Sequence, residues 1–350
     1  MSESDMADKK ENYILRSFCA LIIFCIIFVH YEPCYQLFGM NAYDFVIGVG
    51  RFAMPVFFMI SGYYLYSDDG HSERDLKRKT LRILYLAIIM KVLYTVLDLI
   101  YLGTGVIDQD VFMEGLITFN WSSKHIWFIY FLFAVYLLHW AFYKLHIDFK
   151  YAMMLGLVFL ALEIYTADIC AWAGIERFLE WSSFQAGQFL YCTIAFFFFP
   201  LGYYLHKHSS KMEKIPTWVL LAIVVFGAAL SVWEVLNFEE LTGISYSSLY
   251  IGSAILAVPF FILTYRVPEN RLRCRPLEFM GRSLLPWMYT FYMAVMFFIK
   301  FVVFDNIDAP LELLDGIGII VSAILDVLLA YLTYRLMLCL IKRALSRRAH

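Results

Sequence analysis

The sequence predicts an all-α, polytopic membrane protein with about ten transmembrane helices and both termini in the cytoplasm. Three observations carry this. Of 350 residues, 62% are hydrophobic and only 17% charged; on the set that drops Tyr and adds Gly the share is roughly 60%, against about 45–50% for soluble domains. The apolar residues fall in runs close to the roughly 20 that a helix needs to cross a bilayer, and they lack the period-two alternation of barrel strands. Lys and Arg gather in alternate connections. A formal charge of −2 and seven Cys in 350 residues exclude nucleic-acid modules and disulfide scaffolds.

The spans are expected at 14–33, 46–66, 83–102, 126–143, 151–173, 184–205, 216–236, 246–265, 284–304 and 317–341. Ten crossings use about 200 residues, and the remainder is too divided for a separate water-soluble domain. Residues 1–350 thus read as one integral-membrane domain with a polar tail at 1–12 and a basic tail at 343–350. The first apolar run is too long for a signal-peptide core and no small-x-small site follows, so it is read as a retained anchor.

Orientation follows from the cations. The tail to Arg16, the 67–82 and 144–150 loops, the Lys207–Lys214 and Arg266–Arg282 segments and the tail from Lys342 hold 22 of the 28 Lys and Arg. The alternate loops hold four: Arg51, Lys124, Arg177 and Lys300. The positive-inside rule therefore puts both termini in the cytoplasm. Cys34 and Cys170 fall near the outer face, with no CxxC motif. The eight His show no His-x-x-x-His pair on a span, so no metal site is expected.

An ionisable group within a span is a functional candidate unless it snorkels to an interface. On the first helix, Arg16 and His30 are 14 residues apart, close to four turns and roughly 21 Å of rise. They share a face at opposite ends of the span. His30 reads either as an interfacial histidine or as a general base suited to a hydroxyl proton. The second helix reads RFAMPVFFMISGYYLY, with Arg51 about a turn inside the outer interface and Pro55 freeing a backbone carbonyl. At the start of the third helix LKRKTLRIL groups Arg78, Lys79 and Arg82. These either set orientation at anionic lipid or meet phosphate.

The fourth helix opens with KHIWFIY, placing Lys124, His125 and Trp127 at the outer interface. Glu163 lies about two-thirds of the way across the fifth span, where a carboxylate needs a partner or a polar surrounding. Glu234 and Lys300 lie toward the outer side, and Asp326 near the middle of the last span. FFMISGYYLY at 57–66 and FFFPLGYYLH at 197–206 agree at six of ten positions, at an offset of 140. They are either a parallel repeat or two aromatic helix ends alike by chance.

Together these segments resemble the bacterial type-three integral-membrane acyltransferases, ten-helix enzymes that modify cell-envelope glycans. The resemblance rests on Arg16 and His30, on RFAMPVFFMISGYYLY, on Arg78, Lys79 and Arg82 before RIL, on HIWFIY and on FFFFPLGYYLH. It implies a multi-pass protein of the bacterial cytoplasmic (inner) membrane that moves an acyl group, expected to be acetyl, from cytoplasmic acyl-CoA to a glycan or lipid-linked hydroxyl acceptor at the outer face. By resemblance, Arg78, Lys79 and Arg82, with Arg16, hold the CoA phosphates, and Arg51 stabilises charge on the thioester oxygen or orients the donor. His30 deprotonates the acceptor or briefly carries the acyl group, with His125 and Glu163 as further catalytic candidates. No metal or nucleic acid is implied.

Two departures stand out. The family usually separates its helix-one Arg and His by ten residues, whereas 13 intervene here, a lengthening of about 4.5 Å. Where the family often reads Ser-x-Gly-x-Tyr-x-x-His, this chain reads SLLPWMYTFYM from Ser283, without His. The rival from another class is a secondary transporter in which His30, Arg51 and Glu163 line a solute or proton path. No inverted repeat with matched broken helices supports it.

Overall fold

The computed structural model describes residues 13–31, 36–37, 40–67, 73–117, 125–164, 183–242, 249–267, 274–303 and 311–348. The polar 1–12 tail, Cys34, Lys124, Cys170 and Arg177 lie outside them. Among the described residues the regular structure is helical apart from a short antiparallel ladder, β1 (Gln36–Leu37) with β2 (Met40–Asn41).

The helices are α1 (Tyr13–Tyr31), α2 (Ala42–Gly50), α3 (Ala53–Tyr63), α4 (Glu73–Gly103), α5 (Gln109–Ile117), α6 (Trp127–Lys144), α7 (Lys150–Ile164) and α8 (Ser183–Lys207). After a single turn at Ser209–Met212 come α9 (Thr217–Thr242), α10 (Ile251–Arg266), α11 (Arg275–Phe279), α12 (Leu285–Phe297) and α13 (Leu311–Arg348). Two π-helical stretches, Met280–Leu284 and Phe298–Val303, flank α12.

Each of the ten expected stretches contains a helix. Among the described residues, six helical segments are long and apolar enough to cross a membrane: Val46–Tyr63, Glu73–Gly103, Trp127–Lys144, Thr217–Asn237, Arg275–Lys300 and Ile317–Leu340. The structure also adds features that hydropathy does not reveal. The second span is broken between α2 and α3 at Arg51–Phe52. Pro55 is the cause: it has no N–H to give the Arg51 carbonyl, and its ring crowds that carbonyl. Helix α4 starts ten residues before the expected 83, so Arg78, Lys79 and Arg82 lie within a helix.

Helix α1 is the centre, packing against α2, α3, α10, α11, α12 and α13. Its Leu15, Cys19, Ile22, Ile23, Ile26 and Ile27 are buried. On the periphery, α4 turns Tyr85, Ile88, Ile89, Val92 and Val96 outward, and α13 turns Ile324, Leu328, Leu332 and Leu336 outward. Such stripes at three- and four-residue spacing suit lipid tails.

Close approach is set by small residues. A Cβ on Gly62 would stand 1.9 Å from the Phe199 carbonyl oxygen, and one on Gly202 2.0 Å from that of Met59. These contacts exchange with each other when 140 is added to or subtracted from the residue numbers. The flanking rings do the same: Tyr63 stacks on His206 at 3.9 Å, and Tyr66 meets Tyr203 at 5.2 Å. The two similar segments therefore pack on each other about a local pseudo-two-fold axis.

At one end of the bundle, Lys144 pairs with Glu73 at 2.9 Å. In the α6–α7 connection, Asp148 accepts from the Lys150 N–H at 2.9 Å and from the Tyr204 hydroxyl. These donors hold its carboxyl below the usual carboxylate range.

Substituting Val for Gly62 or Gly202 should abolish the α3–α8 crossing and leave little monodisperse protein on gel filtration. Gly103→Ala should be neutral or slightly stabilising, because nothing lies within 4 Å of its Cβ position. Equal thermal melts for the three variants would refute the crossing.

Candidate functional site

The site begins with an inward stripe on α4. Leu76, Thr80, Ala87, Met90, Tyr94 and Asp98 are buried at helical spacing, and this carries the Tyr94 phenol to α12. There its hydroxyl donates to the Thr290 carbonyl at 2.8 Å and accepts from the Ala294 N–H at 3.2 Å. Residues 290 and 294 are the pair an α-helix joins directly. The phenol is thus inserted into the backbone ladder of α12 and locks α4 to it.

Above this lock stands a ring of aromatic side chains. The His125 ring lies 4.7 Å from Tyr94, 5.5 Å from Tyr289 and 4.9 Å from Tyr292. The Tyr289 hydroxyl donates to the His125 carbonyl. From α1, the His30 ring comes within 5.8 Å of Tyr292 and within electrostatic reach of His125. Tyr292 is thus the surface on which the two imidazoles meet. His125 is 1% exposed and neither ring nitrogen has a hydrogen-bond partner among the described residues. His30 is half-buried, which makes it the more accessible imidazole.

Arg51 sits in the α2–α3 turn, its N–H bonded to the Ile47 carbonyl at 3.2 Å. The preceding Gly50 packs where a Cβ would meet Val29 at 2.8 Å, so the turn lies against the His30 end of α1. Arg16, toward the start of α1, has its guanidinium 6.0 Å from the Tyr64 ring, and its carbonyl fills the space beside Gly281.

Arg78 is exposed and bonded to Asp75 at 3.2 Å; Arg82 is exposed and Lys79 half-buried. Arg78 and Arg82 are one turn apart on α4 and so share a face. Glu163 lies near the end of α7, which packs on α8, and its side chain is outside the described residues. The structure thus brings His30, His125 and the turn of Arg51 toward one end of α1, and leaves Arg78, Lys79, Arg82 and Arg16 toward the other.

Other span charges have structural roles. Glu234 accepts from the backbone N–H groups of Ile251 and Gly252, at 3.2 and 2.7 Å, and so caps the start of α10. Beside it Ser231 donates to the Gly48 carbonyl and lies 2.7 Å from the Ser253 hydroxyl. Lys91 donates to the Gly115 carbonyl at 2.6 Å, with Asp98 in electrostatic reach.

Sequence reasoning missed Tyr94, Tyr289 and Tyr292, because tyrosine is so common in this chain that no single one stands out. The signal was present in the inward stripe of α4 and the three-residue spacing of Tyr289 and Tyr292. Asp326 was visible as a mid-span carboxylate, but its neighbours were not. Among the described residues no group of three His, Cys, Asp or Glu is arranged to hold a metal ion.

Glu234→Gln should lower thermal stability by about 1–3 kcal/mol while folded protein keeps its ligand binding. Unchanged melting would show that the α10 cap is not needed.

The sequence model of a protein family, described as an acyltransferase domain, matches residues 18–335. This stretch holds His30, Arg51, Arg78, Lys79, Arg82, His125 and Glu163, and begins two residues after Arg16. No curated protein and no solved structure matches the chain.

Proposed function

The chain belongs to the type-three acyltransferase family, and on that premise we propose that it is an O-acyltransferase of the bacterial cytoplasmic membrane. It takes an acetyl group from cytoplasmic acyl-CoA and delivers it to a hydroxyl of a cell-envelope sugar or lipid-linked glycan at the outer face. In this proposal the chain crosses ten times, with both termini cytoplasmic. The observation that carries it is the meeting of His30 and His125 on the Tyr292 ring.

His30, the more accessible imidazole, accepts the proton of the acceptor hydroxyl. The oxygen attacks the thioester carbonyl carbon, and Arg51 faces the charge that develops on the carbonyl oxygen. The carbon–sulfur bond then breaks and the imidazolium returns its proton to the leaving thiolate, giving the ester and free CoA. His125 lies behind His30, against Tyr289 and Tyr292; counted from Ser283, the family's Tyr and His positions are Trp287 and Thr290 here. Glu163 is a further carboxylate in this scheme.

Toward the other end of α1, Arg78, Lys79 and Arg82 on α4 meet the CoA phosphates, with Arg16 as a fourth cation in this scheme. The rise from Arg16 to His30 is roughly 21 Å. The acyl-bearing arm therefore passes between helices to reach the imidazole. The break at Pro55 supports this reading, because it opens the backbone beside that path.

His30→Ala should leave inserted protein with acetyl transfer reduced about 10²- to 10⁴-fold; normal turnover would exclude the base assignment. Replacing Arg78, Lys79 and Arg82 together by Ala should abolish saturable acetyl-CoA binding in calorimetry while the melting temperature holds. No binding by folded wild-type protein would instead favour a transporter.

A further inference from the structure

Four buried groups stand out because the described residues give their polar atoms no hydrogen-bond partner: both ring nitrogens of His125, the Tyr292 hydroxyl, the Ser322 hydroxyl and both oxygens of Asp326. Each residue is at most 1% exposed. They also fall in one region of the bundle. His125 lies against Tyr292. Asp326 is within electrostatic reach of Tyr292 and Tyr94, on a helix that packs along α12. Ser322 is one turn from Asp326 on the same face of α13.

Elsewhere the Trp140 indole N–H and two of the Arg266 guanidinium nitrogens also have no partner among the described residues, but the buried hydroxyls and carboxylates there are matched. Tyr94, Ser231, Ser253, Glu234, Thr80 and Thr264 all bond to backbone. An unmatched hydroxyl or carboxylate lowers stability, and several together lower it more than one. A Leu or Ala at these positions would fold at least as well. Residues that weaken a fold in one place are the mark of a site kept for a ligand.

We infer that Asp326, Ser322 and Tyr292 form a recognition subsite for a neutral, hydroxyl- or amide-bearing part of a substrate, beside the His30–His125 pair. This rests on the acyltransferase reading above. A carboxylate accepts from O–H or N–H donors, and the Ser and Tyr hydroxyls both give and accept. That set is complementary to the hydroxyls of a sugar acceptor and to the amides and hydroxyl of the pantetheine arm of acyl-CoA. In either case the ligand fixes a reacting group beside His30, and Asp326 acts as a binding residue.

Two measurements on the full chain in detergent test the subsite. The first is thermal melting of Asp326→Leu and Ser322→Ala without ligand. The melting temperature should hold or rise by a few degrees; a fall of several degrees in both would overturn the inference by showing that the wild-type groups are bonded within the protein.

The second uses acetyl-CoA as donor and methyl glucoside as a soluble hydroxyl probe. Asp326→Asn should lower transfer roughly ten- to hundredfold. A weakened acetyl-CoA Kd assigns the subsite to the pantetheine arm; a raised KM for the glucoside with unchanged donor Kd assigns it to the acceptor. Unchanged values for both, in folded variants, would overturn it. A wild type that neither binds acetyl-CoA nor acetylates the glucoside would instead sink the acyltransferase reading, and melting would still decide whether the cluster is kept for a ligand.

Discussion

Inside an apolar slab no water reaches a stranded polar group, and most buried hydroxyls and carboxylates of this protein meet that constraint by finding backbone. Glu234 closes the start of α10, Ser231 reaches across to Gly48, and Thr80 and Thr264 bond back along their own helices. The most informative case is Tyr94. Its phenol takes the place of a helical hydrogen bond in α12 and ties the outer layer to the helix carrying Tyr289 and Tyr292. The imidazole of His125 is wedged among these three rings, and His30 joins from α1. The buried hydroxyl and carboxylate exceptions, on Tyr292, Ser322 and Asp326, lie in the same region.

The second constraint is the absence of a hydrophobic drive between helices already surrounded by lipid. Association then depends on close contact, and glycine provides it. Gly62 and Gly202 let α3 and α8 touch backbone to backbone, and Gly281 lets the π-helical turn before α12 rest on the Arg16 carbonyl. The reciprocal contacts at Gly62 and Gly202 give the similar 57–66 and 197–206 segments a shared structural role. The same closeness holds α1 in the middle, with His30 and Arg16 at its two ends.

Much of this was legible from residues alone. The run lengths placed a helix in every expected stretch, because hydropathy over 20 residues reflects a backbone need that no side chain can override. Pro55 was legible as the source of a freed carbonyl, though the break at Arg51–Phe52 was not, and the cation clusters near Arg78 and Arg266 set the expected orientation. His30 was legible as a candidate because an imidazole in an apolar helix is rare. Glu234 was legible as an anomaly but not in its role, since the α10 amides it caps lie 17 and 18 residues further along the chain.

By itself, then, the sequence determined the all-helical, membrane-adapted architecture and the identity of the polar residues within it, since both follow from local composition and period. Tertiary structure alone decided which of those residues lie together. Tyr94, His125, Tyr292 and Asp326 are spread over some 230 positions. Only the crossing of α4, α6, α12 and α13 joins them, because helix packing fixes rotation and depth together and neither is written in the pattern of a single helix.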